Sequence, residues 1–341
     1  MEFLRPPVDP AACVAALRTW LEAEKAPPLL ITTSGSTGRP KQVLLSRDAV
    51  LASVRASAAR LGGQGRWALV LPASYVAGVQ VICRSLVAGH DPVLGTWSDE
   101  RGPASWTSLV PTQLHRLMDS AADVAALAAM DGVLLGGGPI DPDLRARAEA
   151  AGIRVVATYG ASETAGGCVY DGLPLDGVAV AIGADGRVRL GGPTIFSGYL
   201  DEPELTRETL VDGWYLTSDL GRLDEDGHLQ VLGRADDVVV SGGLNVPLPA
   251  VRAALRSHPA IDQVELVGVP SEEWGTEVVA LVVASGPVPG LAELRDHVAA
   301  QHPRAWSPRR VVVLDELPLL GNGKVDRQEL SRLVAAKGAR A

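Results

Sequence analysis

The sequence has few cysteines, few aromatic residues and no excess of positive charge. Its 341 residues include three cysteines, Cys13, Cys83 and Cys168, and no C-x-x-C pair. This count and spacing argue against a disulfide framework or a structural zinc site, and favour a reducing, cytoplasmic environment. Lys and Arg number 31 against 40 Asp and Glu, a net charge of −9. Such a chain is not expected to bind nucleic acid, which requires a basic surface.

Long apolar segments are also missing. The run VVALVVA (278–284) is far shorter than the roughly 18 residues that a transmembrane helix needs. The first residues, MEFLRPPVDP, show no basic segment followed by an apolar one, so no signal peptide is expected. The six histidines form no H-E-x-x-H motif. With 47% apolar and 21% charged residues, the composition is that of a globular protein, and the length favours two domains.

The order of predicted elements indicates two domains. Up to about residue 185, short apolar segments alternate with helical ones, which is typical of β-α units around a mostly parallel sheet. From there to about residue 235, Asp-Gly turns separate short segments that predict antiparallel hairpins. The remaining sequence starts a new alternation of helices and strands. We therefore expect a large α/β domain with an antiparallel region over residues 1–235, and a small α+β domain over 236–341.

A loop rich in glycine and hydroxyl groups is the strongest local signal. The segment TTSGSTGRPK (32–41) lies between two predicted strands. Backbone N–H groups and hydroxyls in such a loop can surround phosphate oxygens, and Lys41 adds a positive charge. It is not a Walker A loop, because a strand rather than a helix follows it. The loop predicts a phosphate-binding site, with a simple flexible turn as the alternative.

Two further segments follow predicted strands, where open α/β sheets bind their ligands. GGGPI (136–140) offers glycines against which a flat heterocycle can lie. In YGASETAGG (159–167), Tyr159 can stack on a purine and Glu163 can hold Mg²⁺ near phosphates. Taken alone, Glu163 is better explained as a solvated loop acid.

The second half of the sequence contains two more polar segments. YLTSDLGRLDEDGHLQVLGRADD (215–237) carries Asp219, a suitable acceptor for ribose hydroxyls, and Arg234, which suits a phosphate. In LPLLGNGKVDR (317–327), Lys324 lies in a Gly-Asn-Gly loop. The alternative interpretations are a hairpin surface with paired charges and a solvated surface lysine.

In this order, the segments resemble the adenylate-forming superfamily of acyl- and aryl-CoA synthetases, nonribosomal adenylation domains and luciferases. The resemblance covers about residues 30–330 and rests on T-S-G-S-T-G-x-P-K, Y-G-x-[ST]-E-T, T-x-D-x-G, G-R-x-D-D, G-G-x-N-V and N-G-K-V-x-R. It implies an enzyme that uses ATP and Mg²⁺ to convert a carboxylate into an acyl-adenylate and then transfers the acyl group to the thiol of coenzyme A. Such chemistry requires charge stabilisation at phosphate but no protein nucleophile.

The resemblance also assigns roles to individual residues. It implies catalytic roles for Lys41, Glu163 and Lys324, with Glu163 as the ligand of Mg²⁺. The residues that it implies for ATP or AMP binding are Thr33, Ser34, Gly35, Ser36, Thr37, Gly38, Gly136, Gly137, Gly138, Pro139, Tyr159, Gly160, Ser162, Asp219 and Arg234.

A hinged C-terminal domain is a further implication of the resemblance. Asp236 matches the hinge, and Gly242 and Gly243 match the CoA tunnel. Movement about the hinge would bring Lys324 to the site for adenylation and remove it for thioester formation.

The sequence departs from the superfamily at two places. The phosphate loop begins at residue 32, so the large domain is shortened at its N-terminus relative to most members. In LPASYVAG (71–78), Tyr75 stands where many acyl-CoA synthetases have a histidine. Any gating role of that histidine is therefore not carried over to Tyr75.

The nature of the acid is indicated by two segments and one arginine. LPASYVAGVQVICRSLVAG (71–89) and SLVPTQLHRLM (108–118) are similar to o-succinylbenzoate–CoA ligases of menaquinone biosynthesis. Arg84 lies in an apolar helical segment, where an unpaired guanidinium would be costly to bury, so we expect it to meet an anion. That anion is either a second carboxylate of the substrate or an acidic side chain. The candidate substrate contacts are Tyr75, Arg84, Ser108 and Thr112.

Two other activities fit the same motifs. One is a CoA ligase for a different aryl or short-chain carboxylate, and the other is a stand-alone adenylation protein that loads a carrier protein. Adenylation domains for amino acids normally have an acidic residue early in the pocket, and the segment 74–78 has none. The sequence leaves open whether the chain forms a homo-oligomer.

Overall fold

The structure, a computed structural model, describes residues 2–33, 40–321 and 323–338, without the side chains of 236 and 336–338. The described chain divides into two compact units. The large unit contains the residues up to Thr217, Gly221–Gln230 and Gly321–Lys324, and the small unit contains Ser218–Leu220, Val231–Leu320 and the residues from Val325 onward. The domain boundary between residues 235 and 236 stays a prediction.

Ten α-helices occur in the part of the chain that the structure describes. Five of them begin at a residue whose side chain accepts a hydrogen bond from the first turn, namely Asp9, Ser46, Ser120, Asp141 and Asp326. Within the same ranges, no helix has the length and apolar character needed to cross a membrane. The helices are α1 (Pro10–Glu22), α2 (Arg47–Leu61), α3 (Val76–Val87), α4 (Pro111–Leu117), α5 (Ala121–Ala128), α6 (Pro142–Ala150), α7 (Pro203–Thr209), α8 (Leu248–Arg256), α9 (Leu291–Ala299) and α10 (Arg327–Gly338).

The strands are short in the large unit and longer in the small unit. They are β1 (Leu29–Thr32), β2 (Gln42–Leu45), β3 (Trp67–Leu69), β4 (Val93–Leu94), β5 (Ser98–Asp99), β6 (Gly102–Pro103), β7 (Trp106–Leu109), β8 (Gly132–Gly136), β9 (Val155–Ala161), β10 (Gly166–Tyr170), β11 (Leu173–Pro174), β12 (Ala179–Ile182), β13 (Arg187–Gly191), β14 (Gly198–Tyr199), β15 (Leu210–Val211), β16 (Trp214–Leu223), β17 (Leu229–Arg234), β18 (Val238–Ser241), β19 (Leu244–Pro247), β20 (Ile261–Ser271), β21 (Gly275–Ala284) and β22 (Arg310–Val313).

A seven-stranded sheet forms the centre of the large unit. Its order is β11-β10-β9-β8-β7-β3-β4, and the five strands from β9 to β4 are parallel. The central strand β8 is apolar on both faces, and its residues Val133, Leu134 and Leu135 are all buried, as covering of both faces by helices requires. The predicted parallel sheet is confirmed, and it brings the carboxyl ends of β3, β7, β8 and β9 to one edge.

Antiparallel strands make up the rest of the large unit's sheets. The strands β1 and β2, which flank the Gly/Ser loop, pair with each other, and β14 pairs with the other side of β2. A five-stranded sheet contains the hairpins β12–β13 and β15–β16. The antiparallel region expected from the Asp-Gly turns is therefore confirmed.

The small unit has a core of its own. Strands β20, β21 and β22 form one sheet, with β20 and β21 antiparallel and β21 and β22 parallel. Apolar side chains of α8 and α9, including Leu255 and Leu294, are buried with those of β20 and β21. A second cluster buries Leu330 and Val334 of α10 with β21 and β22. The predicted small α+β domain is confirmed as a separate core.

Helix α3 is seated against the chain that leaves β3, and Gly78 permits this approach. A Cβ atom at Gly78 would lie 2.2 Å from the Pro72 carbonyl oxygen and 2.9 Å from Ala73 Cα. Because these are backbone atoms, Gly78→Ala is expected to lower the free energy of unfolding by about 1–3 kcal/mol.

Chemical denaturation measures this effect, and Gly63→Ala is the matched control. No atom lies within 4 Å of a Cβ at Gly63, so its free energy of unfolding should stay within about 0.5 kcal/mol of the native value. Equal stability of the two variants would show that α3 does not rest on residue Pro72.

Candidate active site

A buried carboxylate lies just beyond the carboxyl end of β9. Glu163 belongs to a 3-10 turn (Ser162–Thr164) and is 6% exposed. The Tyr199 hydroxyl donates a hydrogen bond to Glu163 Oε1 at 2.8 Å, and the Phe196 backbone N–H donates to the Glu163 carbonyl at 2.9 Å. Tyr199 reaches this position because β14 pairs with β2, with Tyr199 opposite Val43. The carboxylate is therefore held in one orientation by a strand distant in sequence.

The environment of Tyr199 keeps its hydroxyl protonated. Burial and the neighbouring charge of Glu163 raise the pKa of Tyr199 well above its ordinary value. The Lys41 Nζ lies 5.2 Å from the centre of the Tyr199 ring, within the range of a cation–π contact. Lys41 and Glu163, both predicted from the sequence, thus contact the same tyrosine.

The two ends of the Gly/Ser loop are fixed to each other. The Thr33 N–H donates to the Lys41 carbonyl at 2.9 Å, and the Lys41 N–H donates to the Thr33 hydroxyl at 3.1 Å. Ser34, Gly35, Ser36, Thr37 and Gly38 lie outside the described residues, so their binding of phosphate stays a prediction.

Two of the glycines predicted to bind ATP or AMP are required by the packing of the chain itself. A Cβ at Gly136 would lie 2.2 Å from Thr158 Oγ1, and one at Gly160 would lie 2.2 Å from the Gly166 carbonyl oxygen. These close approaches occur between paired strands. These close approaches explain why glycine occupies both positions even when no ligand is bound. Contact of these glycines with the nucleotide stays a prediction.

The other residues of this group lie at the strand ends, as the sequence predicts. Gly137, Gly138 and Pro139 are exposed directly after β8. Tyr159 lies half-buried in β9, and Ser162 begins the turn that carries Glu163. Their nucleotide contacts stay predictions.

Lys324 lies beside the carboxyl end of β8. A Cβ at Gly137 would be 3.2 Å from Lys324 Cε and 3.9 Å from its Nζ. The Thr112 hydroxyl donates to the Gly323 carbonyl at 2.6 Å. The structure therefore groups Gly321–Lys324 with the large unit, although the sequence places Lys324 within the C-terminal domain. Thr112, predicted to contact the substrate, holds the lysine's loop, and its contact with the substrate stays a prediction.

Arg84 is buried, and no acidic side chain that the structure describes pairs with it. It is 5% exposed, and its Nη2 donates to the Tyr170 hydroxyl at 3.2 Å. Its Cζ lies 5.0 Å from the centre of the Trp67 ring. Among the described residues its guanidinium makes no ion pair with a carboxylate, and its Nε has no hydrogen-bond partner. The sequence predicted that Arg84 meets either a carboxylate of the substrate or an acidic side chain of the protein. Among the described residues, no acidic side chain takes that place.

The two remaining substrate candidates, Tyr75 and Ser108, lie after β3 and in β7, two neighbouring strands of the parallel sheet. Tyr75 is half-buried at the start of α3, and its N–H donates to the Pro72 carbonyl at 3.3 Å. Ser108 is buried in β7. Their contacts with a substrate stay predictions.

The small unit contains the predicted ribose ligand and its neighbour. Asp219 Oδ1 and Arg234 Nη1 are 3.9 Å apart, and both side chains are half-buried. The arginine therefore faces the carboxylate expected to bind ribose. Binding of ribose or phosphate by this pair stays a prediction.

Two further features of the small unit concern the predicted hinge and CoA tunnel. The side chain of Asp236 lies outside the described residues, and its backbone belongs to a 3-10 turn (Ala235–Asp237). The neighbouring Asp237 is buried and ion-paired with Arg327, a contact that the sequence analysis missed. The Gly242 N–H donates to the Trp274 carbonyl at 2.9 Å, and both Gly242 and Gly243 have positive φ. Hinge and tunnel roles stay predictions.

The donor chemistry at Glu163 fits Mg²⁺. Mg²⁺ prefers oxygen ligands and commonly takes one or two carboxylates, with phosphate oxygens and water completing its shell. The described residues contain no cluster of three or more potential metal ligands. Glu163 would therefore hold Mg²⁺ together with phosphate oxygens.

Comparison with known families agrees with this site. The chain matches the family described as AMP-binding enzyme over residues 19–200, and the AMP-binding enzyme C-terminal domain over residues 251–324. This chain belongs to the AMP-binding enzyme family. The resemblance to adenylate-forming enzymes is confirmed.

Individual relatives carry more specific names. The chain is 41% identical over 348 residues to the probable 2-succinylbenzoate–CoA ligase of Mycobacterium tuberculosis (strain CDC 1551 / Oshkosh), covering 97% of this chain and 91% of that protein. It is 33% identical over 337 residues to the 2-succinylbenzoate–CoA ligase of Geobacillus kaustophilus (strain HTA426), covering 89% and 69%. It resembles the structure of o-succinylbenzoate CoA synthetase from Bacillus subtilis in complex with its acyl-adenylate intermediate, with a TM-score of 0.76, 29% identity, and coverage of 89% and 68%.

Tyr199→Phe tests whether the hydroxyl orients Glu163. Loss of a hydrogen bond to a charged group typically lowers a rate or an affinity by about 10-fold or more. Adenylation should therefore slow by about 10-fold and require more Mg²⁺ for its half-maximal rate. Pyrophosphate release, measured over a series of Mg²⁺ concentrations, reports both effects.

Thermal unfolding is the control for this variant, because Phe keeps the ring and its packing on Phe196. A native rate and Mg²⁺ requirement would show that the hydroxyl does not orient the carboxylate.

Proposed function

We propose that this chain ligates 2-succinylbenzoate (o-succinylbenzoate) to CoA in an ATP- and Mg²⁺-dependent reaction that proceeds through an acyl-adenylate. The named relatives support this substrate. The observation that carries the choice is Arg84, a buried guanidinium without an acidic partner in the described chain. The acid has two carboxylates: the succinyl one is activated, and the ring carboxylate remains as a charge for Arg84 to bind.

The reaction divides into two displacements. The succinyl carboxylate attacks the α-phosphorus of ATP and pyrophosphate leaves; the CoA thiol then attacks the acyl carbon and AMP leaves. Lys41 and Lys324 would stabilise the negative charge that grows on the phosphates, and Mg²⁺ held by Glu163 would supply further charge stabilisation.

The protein's own thiols do not take part. Burial raises the pKa of both Cys83 and Cys168 to about 12, so both are protonated at neutral pH. Three free cysteines also fit the reducing cytoplasm, where we expect the reaction to take place.

A panel of carboxylic acids tests the proposal. Pyrophosphate release and CoA thioester formation are measured for 2-succinylbenzoate, benzoate, a short-chain fatty acid and an amino acid. We expect the highest kcat/KM for 2-succinylbenzoate, with the acyl group recovered on CoA. A higher kcat/KM for another acid, or an adenylate that is not transferred to CoA, would overturn it.

Lys324→Ala separates the two half-reactions. We expect adenylate formation to fall by about 10²–10³-fold, because one cation at the developing phosphate charge is lost. Thioester formation from supplied acyl-adenylate should be largely retained. Lys25→Ala, which removes an exposed lysine outside these motifs, is the matched control and should change neither rate. Equal loss of both half-reactions would mean that Lys324 has a structural role.

Arg84→Met tests recognition of the second carboxylate, since Met retains a long apolar side chain against Trp67. Loss of a charge-assisted hydrogen bond to a substrate lowers kcat/KM by roughly 10- to 150-fold. We therefore expect kcat/KM for 2-succinylbenzoate to fall by that factor, while the KM for ATP stays nearly unchanged.

The matched control is Arg66→Met. Arg66 is also buried, but its Nη1 donates to Asp99 at 2.7 Å. This variant should lose stability without changing the preference among acids. If Arg84→Met behaves in the same way, Arg84 is structural.

A further inference from the structure

Gln80 carries an amide that the described protein leaves without hydrogen bonds. It lies in α3 and is 2% exposed. Neither its Oε1 nor its Nε2 has a hydrogen-bond partner among the described residues. Buried amides are normally paired, so an amide with both atoms unpaired in the described chain calls for a partner from outside it, either water or a ligand.

The surroundings of Gln80 place it in the acid-binding region. It precedes Arg84 by one turn on the same face of α3, about 6 Å along the helix. On its other side, Gln80 Cγ lies 3.3 Å from the point where a Cβ on Gly166 would be. Gly166 begins β10, immediately after the turn that carries Glu163. Gln80 therefore borders the segment of Glu163 and lies one helical turn before Arg84.

We propose that Gln80 is a specificity-determining residue whose Nε2 donates a hydrogen bond to the ketone oxygen of the acid. This inference rests on the proposed function. In 2-succinylbenzoate the ketone lies between the succinyl carboxylate, which is activated near Glu163, and the ring carboxylate assigned to Arg84. A donor positioned between these two residues meets an acceptor at that place in the molecule. Benzoate and simple fatty acids offer no such oxygen and would leave the amide unpaired.

Three acids and three proteins test this assignment. The acids are 2-succinylbenzoate, its analogue with a methylene in place of the ketone, and 4-oxo-4-phenylbutanoate, which keeps the ketone but lacks the ring carboxylate. Native protein, Gln80→Met and Arg84→Met are compared by kcat/KM for pyrophosphate release. Gln80→Met should lower the ratio of kcat/KM for 2-succinylbenzoate over its methylene analogue by about 3- to 10-fold. Arg84→Met should instead lower the ratio for 2-succinylbenzoate over 4-oxo-4-phenylbutanoate.

Each remaining outcome has one interpretation. An unchanged ketone-to-methylene ratio in Gln80→Met overturns the role of Gln80 and leaves the proposed function intact. Native protein that activates none of the three acids overturns the proposed function instead.

Thermal unfolding without acid separates a structural role from a binding role. Met replaces the unpaired amide with an apolar group of similar length, so the melting temperature should be equal or higher. Gln80→Leu is the second variant. Marked destabilisation or failure to fold in both variants would show that the amide supports the core, and would overturn the inference.

Discussion

The hydrogen bond from the Tyr199 hydroxyl to Glu163 connects two of the sheets of the large unit. Glu163 follows β9 of the parallel sheet, whereas Tyr199 belongs to β14 of the small antiparallel sheet. The same antiparallel sheet contains β1 and β2, whose ends hold Thr33 and Lys41. The Tyr199 hydroxyl thus sets the position of the Glu163 carboxylate relative to Lys41. The two opposite charges that we propose act on the phosphates therefore both lie at the ring of Tyr199.

Local sequence patterns predicted the elements that carry the site. The Gly/Ser loop was expected between two strands, which are β1 and β2, and GGGPI was expected after a strand, which is β8. Tyr199 was missed because its significance comes from the pairing of β14 with β2, and no local pattern contains that information. The glycines at 136 and 160 show the reverse situation. Their motifs were recognised, but the structure adds a reason, a close approach of backbones, that sequence spacing cannot reveal.

Helix α3 departs from a local rule at the two residues that we propose bind the acid. Its pattern is that of a buried apolar helix, yet Gln80 and Arg84 occupy buried positions on one face. Such polar groups reduce the stability of the protein without ligand, because hydrogen bonds within the described chain compensate the desolvation of Arg84 only in part and that of the Gln80 amide not at all. Gly78 allows the first turn of the helix to lie directly against the chain that leaves β3. A closely packed first turn and buried polar groups further along are the properties that the proposed binding role requires.

The burial of all three cysteines has a consequence for the fate of the product. Cys13, Cys83 and Cys168 are free and buried, and burial raises the pKa of each thiol to about 11 or 12. An enzyme that handles CoA meets an activated thioester and a free thiol at every turnover. Because the protein presents no accessible thiolate, it neither captures the acyl group by thioester exchange nor forms a mixed disulfide with CoA when the surroundings become oxidising.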